Sequence, residues 1–304
     1  MIETKNLTKT FDNFTAVDSL DLQIETGEFF GLLGPNGAGK TTTISLLSTL
    51  LLPTKGEILI DGQKLTRNRP DLKRKISVIT QEYSMRQDMN MDEIMEYQGR
   101  LYFMPRKEIK RRTEELLEFC DLIKFRKRTV RKLSGGMKRK LMVCRALLTD
   151  PEILLLDEPT AGMDALSRRQ MWNLLRKLNG KNLTILLTTH YMEEAQNLCN
   201  RVALMDHGRL EEVSSPSALI NSLGNYTVDE FSGDETKSHY FHTREEAIAY
   251  LSGLSGQASL RETTLEDVFV ERAGRHLMPS EGGTEHGNYY DFMGKMGRIS
   301  KRFL

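Results

Sequence analysis

At 304 residues, 39% hydrophobic and 28% charged, with a formal net charge of +1, the chain has room for one large domain or two smaller ones with a substantial core. The near-neutral balance excludes an overall field that would advertise a nucleic-acid partner. No apolar run approaches the ~20 residues needed to span a bilayer, and the N-terminus MIETKNLTKTFDN lacks the apolar core of a signal peptide, so the chain is expected to be made and kept in the cytoplasm. Its three cysteines, Cys120, Cys144 and Cys199, form no CxxC pair and read as reduced, mostly buried thiols.

Residues 1 to about 80 mix short strands with one strong motif. The apolar run Phe29 to Leu33 reads as a buried strand. It is followed by Gly34-Pro35-Asn36-Gly37-Ala38-Gly39-Lys40-Thr41-Thr42 and then by an apolar-periodic helix. This is the phosphate-loop spacing in the strand-loop-helix context that the motif requires. The glycines let backbone N–H groups turn inward around a phosphate, and the helix N-terminus adds partial positive charge. Lys40 can reach the β- and γ-phosphates of a nucleoside triphosphate, and the Thr41 hydroxyl can ligate Mg²⁺. GEILIDGQKL carries an Asp61-Gly62 turn signal and predicts a hairpin. Ile76 to Ile79 predicts a short strand, and the Gln81 amide just beyond it can reach Mg²⁺ or an attacking water.

EIMEYQGRLYF and KEIKRRTEELLEFCDLI, within residues 86 to 135, have helical periodicity. The stretch KFRKRTVRKLSGGMKRK, residues 124 to 140, is intensely basic. It reads as a solvated face beside phosphates, or as a contact for anionic lipid or an acidic loop. Within it, Leu133-Ser134-Gly135-Gly136-Met137 fits both a turn opening a helix and a second phosphate cradle. Ser134 can cap the helix, and the two glycines leave the amides bare.

Ile153 to Leu156 predicts a strand buried on both faces, as in a parallel sheet, ending in Asp157-Glu158. Ligands of such sheets bind beyond the carboxyl ends of the strands. Asp157 would then hold the Mg²⁺ shell through water, and Glu158 would orient or deprotonate the attacking water. Leu183 to Thr188 predicts another buried strand. His190 follows it on the side of the carboxylates, placed to hydrogen-bond the γ-phosphate and hold Glu158. From about 225 to 275, YTVDEFS, SHYFH and QASLRE read as strands and REEAIAYLSGL as a helix, closed by TLEDVFVERAGR. Residues 277 to 304 are Gly-rich and weakly patterned, and are expected to form a mobile tail.

GPNGAGKTT, the Gln81 loop, LSGGM, EILLLDEPTAGMD and TTH stand in one order, and together they make the chain similar to the ATP-binding subunits of ABC transporters. The resemblance spans residues 1 to about 220. It implies an α/β fold: a phosphate-loop ATPase core with a mainly parallel sheet, an N-terminal antiparallel β subdomain, a helical subdomain and a small C-terminal α+β domain. The implied boundaries are 1–222 for the ATPase domain, with the helical subdomain inserted at about 86–145, then 223–276 for the accessory domain. It further implies that Phe11 stacks on adenine, that the helical subdomain meets a separate integral membrane permease, and that Ala161 to Asp164 couples two sites. Two chains, a homodimer or a heterodimer, would sandwich two ATP molecules head to tail. Each site would join one chain's loop to the other chain's Ser134, Gly135 and Gly136.

Met137 stands where many members carry Gln. That change, and the TLEDVF stretch after HYMEEAQNLCNRVALMDHGRL, resemble the drug-resistance exporters of the daunorubicin type, whose branch includes sodium, polysaccharide and lipid exporters. The expectation is therefore an ATPase that takes ATP and Mg²⁺ and drives an exporter from the cytoplasmic face of the cell membrane. An importer subunit and a soluble ABC ATPase are the rival readings. No nucleic-acid partner is expected.

Overall fold

The computed structural model describes residues 1–82, 85–233 and 235–276. The tail expected over 277–304 lies outside the described residues. Contacts divide the chain into two compact units, Met1–Ser214 and the residues from Ser215 onward.

The first unit begins with β1 (Ile2–Phe11), β2 (Phe14–Ile24), β3 (Phe29–Leu33) and α1 (Lys40–Leu47). β4 (Lys55–Ile60), β5 (Gln63–Lys64), α2 (Pro70–Arg74) and β6 (Ile76–Ile79) follow. Three longer helices come next: α3 (Met91–Leu101), α4 (Arg106–Phe119) and α5 (Gly135–Leu147). The unit closes with β7 (Ile153–Asp157), α6 (Ala165–Asn179), β8 (Thr184–Thr189), α7 (Met192–Leu198), β9 (Arg201–Asp206) and β10 (Arg209–Ser214).

Two sheets result. The antiparallel one runs β2-β1-β4-β5. Its β4–β5 turn puts Asp61 at φ 50° and Gly62 at φ 73°, the paired positive φ values that the right-handed twist of a two-residue hairpin selects. The larger sheet runs β10-β9-β3-β8-β7-β6. All its neighbours are parallel except β10, which pairs antiparallel with β9. Every residue of β3, β7 and β8 is buried, as strands covered on both faces must be. One core joins the two sheets to α1, through Leu7, Val17, Leu20, Leu32, Ile44 and Leu155.

Helices α3, α4 and α5 pack on one another. The start of α3 is fixed by a capping box, in which Asn90 Oδ1 accepts from Glu93 N at 3.1 Å and Glu93 Oε2 accepts from Asn90 N at 2.8 Å. The three cysteines are free and buried, as expected.

The basic segment is not one solvated face. Arg126 and Lys127 both pair with Asp92, at 2.9 Å each. Arg139 is 2% exposed and donates to the carbonyls of Thr80, at 2.8 Å, and Gln81, at 3.0 Å. Helix α5 carries Arg139 inward on the face that also buries Leu141 and Met142, a turn of the helix that a tally of charge does not reveal.

The second unit contains α8 (Pro216–Leu223), β11 (Tyr226–Ser232), β12 (Glu235–Phe241), α9 (Arg244–Gly253), β13 (Gln257–Glu262) and α10 (Leu265–His276). The division thus falls before α8, whereas the sequence reading placed it at 222/223, in the last turn of that helix. β11 is the centre of a three-stranded antiparallel sheet, β12-β11-β13. TLEDVF has a folding task here. Asp267 accepts from Thr264 N at 2.8 Å at the start of α10, and Arg261 on β13 bridges it, at 2.7 Å, to Asp229 on β11, at 2.6 Å. Among the described residues no helix is long and apolar enough to cross a membrane.

Candidate active site

Parallel pairing puts the carboxyl ends of β3, β6, β7 and β8 on one sheet edge: Leu33 registers with Thr189, Asp157 with Thr188, and Ile79 with Leu156. The residues that follow each strand therefore share that edge, which brings the loop 34–41, Gln81, Glu158 and His190 to one end of the sheet.

The loop wraps tightly. Gly39 caps α1 at φ 103°, and a Cβ there would lie 2.3 Å from the Ala16 carbonyl oxygen, so only glycine fits. Lys40 is 5% exposed, and its Nζ donates to the carbonyls of Gly34 at 2.8 Å and Pro35 at 2.9 Å. Burial lowers the Lys40 pKa, against the pull of the Glu158 and Asp157 charges. Thr41 Oγ1 donates to Asp157 Oδ1 at 3.1 Å, and Thr188 Oγ1 donates to the same oxygen at 2.6 Å. A hydroxyl and a carboxylate side by side are a hard-oxygen donor pair, which fits Mg²⁺.

Glu158 has φ 46°, a left-handed conformation that costs a non-glycine residue about 1–3 kcal/mol. Its amide donates to Thr188 O at 3.1 Å and lies 3.2 Å from Thr188 Oγ1, which holds the turn. Its Oε1 lies 3.0 Å from His190 Nδ1. The hydrogen bond with His190 holds the Glu158 carboxyl below its ordinary value against burial, with the His190 and Lys40 charges adding to the effect.

Three further expected residues are placed as follows. Gln81 is exposed and held by its backbone carbonyl to Arg139; among the described residues its amide makes no bond to Thr41 or Asp157. Phe11, 41% exposed, ends β1, with the Lys9 ammonium 4.9 Å above its ring. Ser134 caps α5, its Oγ accepting from Met137 N at 3.3 Å, and Ser134 and Gly135 face solvent. Asp164 caps α6 through Ser167, whose amide donates at 2.8 Å and hydroxyl at 2.7 Å. Thr188 and Arg139 were missed in the sequence. Thr188 lay unread inside the TTH stretch, and Arg139 was hidden among exposed charges.

A phosphate loop, two strand-end carboxylates and a histidine on one edge of a parallel sheet define a nucleoside triphosphatase. Comparison with known proteins narrows the class: a family model described as "ABC transporter" matches residues 17–161. The chain is 37% identical to a Nod factor export ATP-binding protein of Cupriavidus metallidurans, over 91% of this chain and 98% of that protein. It is 35% identical to a linearmycin resistance ATP-binding protein of Bacillus subtilis, over 75% of this chain and 73% of that protein. Among solved structures, a dimeric ATP-binding cassette in a post-hydrolysis state, bound to ADP and Pi, superposes with a TM-score of 0.64 at 29% identity, over 71% of this chain and 98% of that one. The ATP-binding subunit of another ABC transporter shares the fold over 90% of this chain and 99% of its own, with a TM-score of 0.68 at 23% identity. The chain belongs to the ATP-binding proteins of ABC transporters and is an ATPase.

Proposed function

We propose that this chain is the ATP-hydrolysing subunit of an exporter, acting from the cytoplasmic face of the cell membrane on a separate permease. The observation that carries the reading is the convergence of Lys40, Asp157 and the Glu158–His190 pair on one sheet edge. It occurs in a chain whose relatives are named for Nod factor export and linearmycin resistance. The cargo would be a drug, lipid, polysaccharide or similar molecule.

In the reaction, Lys40 would exchange the loop carbonyls for the β- and γ-phosphates, and Phe11 would stack on adenine. Glu158, kept ionised by His190, would take a proton from water as the water oxygen attacks the γ-phosphorus and the bond to the β,γ-bridging oxygen breaks. His190 would hold Glu158 and hydrogen-bond the γ-phosphate. Thr41, Asp157 and Gln81 would hold Mg²⁺, which when bound offsets the charge on the phosphate oxygens.

The solvent-facing turn of Ser134, Gly135 and Gly136 opens a 13-residue helix, a place suited to an anion. We infer that it completes the nucleotide site of a second chain. Ser134→Arg should leave ATP binding to the monomer near wild type while hydrolysis falls below detection, measured by fluorescent-nucleotide titration and phosphate release. Loss of binding in the monomer would assign the turn to its own chain's nucleotide. The permease would dock at the groove of about 460 Å³ that Leu50, Leu101, Tyr102 and Phe103 help to line. Its rim includes Phe103, an apolar side chain 89% exposed that a partner would cover.

Removal of the chain from its host tests the whole reading. The deleted strain should become sensitive to members of a panel of amphipathic antibiotics, and the wild-type gene, but not Lys40→Ala, should restore resistance. A defect confined to nutrient uptake would assign the chain to import instead.

A further inference from the structure

Glu194, in α7, has no solvent exposure and takes part in none of the steps above. Its Oε1 accepts from the Thr160 hydroxyl at 3.0 Å and from the Trp172 indole N–H at 3.1 Å. Its Oε2 is buried and has no hydrogen-bond partner among the described residues. An acid stripped of water is costly unless donors surround it. Burial pushes the Glu194 carboxyl up, and the hydroxyl and indole donors around it pull it back.

The donors come from two segments next to the reacting end of the site. Thr160 follows Glu158 after one proline. Trp172 lies on α6, whose first turn is capped by Asp164. Thr160 is itself wholly buried, and Trp172 is 5% exposed, so neither bond competes with bulk water.

Glu158 depends on such support, because its left-handed backbone relaxes unless neighbouring bonds over-determine it. The turn after it is closed by Ala161 N donating to Glu158 O at 3.2 Å and by Met163 N donating to Thr160 O at 3.1 Å. Thr160 is the side chain that fastens this turn to α7. On the other side, the Arg168 guanidinium lies over the Tyr191 ring at 4.8 Å, and the Tyr191 ring lies 4.1 Å from the His190 ring. The same α6–α7 junction that Glu194 bolts together therefore also backs His190.

We propose that Glu194 is a positioning residue for hydrolysis: by gathering Thr160 and Trp172 on one carboxylate oxygen, it ties the turn after Glu158 to the α6–α7 junction and so holds the Glu158–His190 pair in register. The proposal rests on the assignment of Glu158 above. Glu194 touches no reacting atom; it acts on where Glu158 and His190 stand.

The test is the steady-state ATPase rate of the full chain against ATP concentration. Glu194→Ala should lower kcat by about 10- to 10²-fold, the usual effect of misplacing a reacting group by an ångström. KM should stay within about threefold, because Lys40 and the loop are untouched. Glu194→Gln keeps the Oε1 acceptor for Thr160 and Trp172 and should recover kcat to within about threefold of wild type. Thr160→Val, similar in shape but without the hydroxyl, should reproduce part of the kcat loss in a variant whose thermal midpoint and helix content match the wild type. Full kcat in Glu194→Ala, a Gln variant as slow as the Ala variant, or a rise in KM equal to the fall in kcat each overturns the proposal. If Glu194→Ala does not fold, Thr160→Val decides, and wild-type kcat there overturns it. Glu158→Gln is assayed alongside. A full rate there overturns the assignment of Glu158, whereas a slow Glu158→Gln beside a full-rate Glu194→Ala overturns only the role of Glu194.

Discussion

Glu158→Gln should slow ATP hydrolysis by roughly 10²–10⁴-fold, the usual worth of general acid–base catalysis, while ATP affinity stays close to wild type. Glutamine has the shape of glutamate and still accepts a hydrogen bond from His190, 3.0 Å from the carboxylate in the native protein. It cannot take a proton from water at neutral pH. The backbone at this position sits at φ 46° and is held by Thr188, so the exchange leaves the turn as it was. Lys40 and Thr41, which would meet the phosphates, are unaffected. Uncleaved ATP should therefore accumulate on the protein, and light scattering should report a dimer that persists in ATP. The rate is the firmer measurement, because it reads the loss of the base itself rather than assembly. A variant that hydrolyses at the native rate would remove Glu158 from the reaction.

Lys40→Ala should weaken ATP binding by about 10- to 10³-fold or more, since removing one member of a buried, hydrogen-bonded charge pair costs about 2–5 kcal/mol. The side chain is already buried and desolvated, at 5% exposure. It is therefore prepared for phosphate oxygens, and exchanging the Gly34 and Pro35 carbonyls for them exposes no new charge. Alanine leaves those carbonyls beside the mouth of the loop with nothing positive between them and the phosphates. Arginine should not restore binding, because its planar fork does not fit where a compact ammonium sits. Isothermal titration with ATP checks both variants, and unchanged affinity in Lys40→Ala would refute the phosphate loop.

These two effects were legible in the sequence because each rests on residues adjacent in the chain. Gly34 to Thr42 forms a loop whose spacing is its geometry, and Asp157 and Glu158 end a strand whose apolar run announces burial on both faces. The Asp61-Gly62 hairpin was legible for the same reason, since the turn is chosen by two neighbouring residues. The Asp157–Thr188 bond, the burial of Arg139 and the gathering of donors by Glu194 were not legible. Each joins positions far apart in sequence, brought close only when strands and helices pack, and no periodicity within one segment marks the partner. Gln81 and Phe11 mark a different limit: the resemblance names them, but in the lone chain Gln81 is held by its carbonyl to Arg139 and Phe11 meets Lys9. The TLEDVF stretch, noticed as a marker of kinship, owes its residues at least partly to folding, through Asp267 and its partner Arg261.

Arg139 gives α5 a mechanical property. The guanidinium grips two consecutive carbonyls just past β6, and separating such partners in a buried setting costs about 1–3 kcal/mol. The helix that presents Ser134 is thereby pinned to the backbone carrying Gln81, like a lever riveted to its own trigger. Moving α5 away from the strand end would therefore first have to break these two bonds.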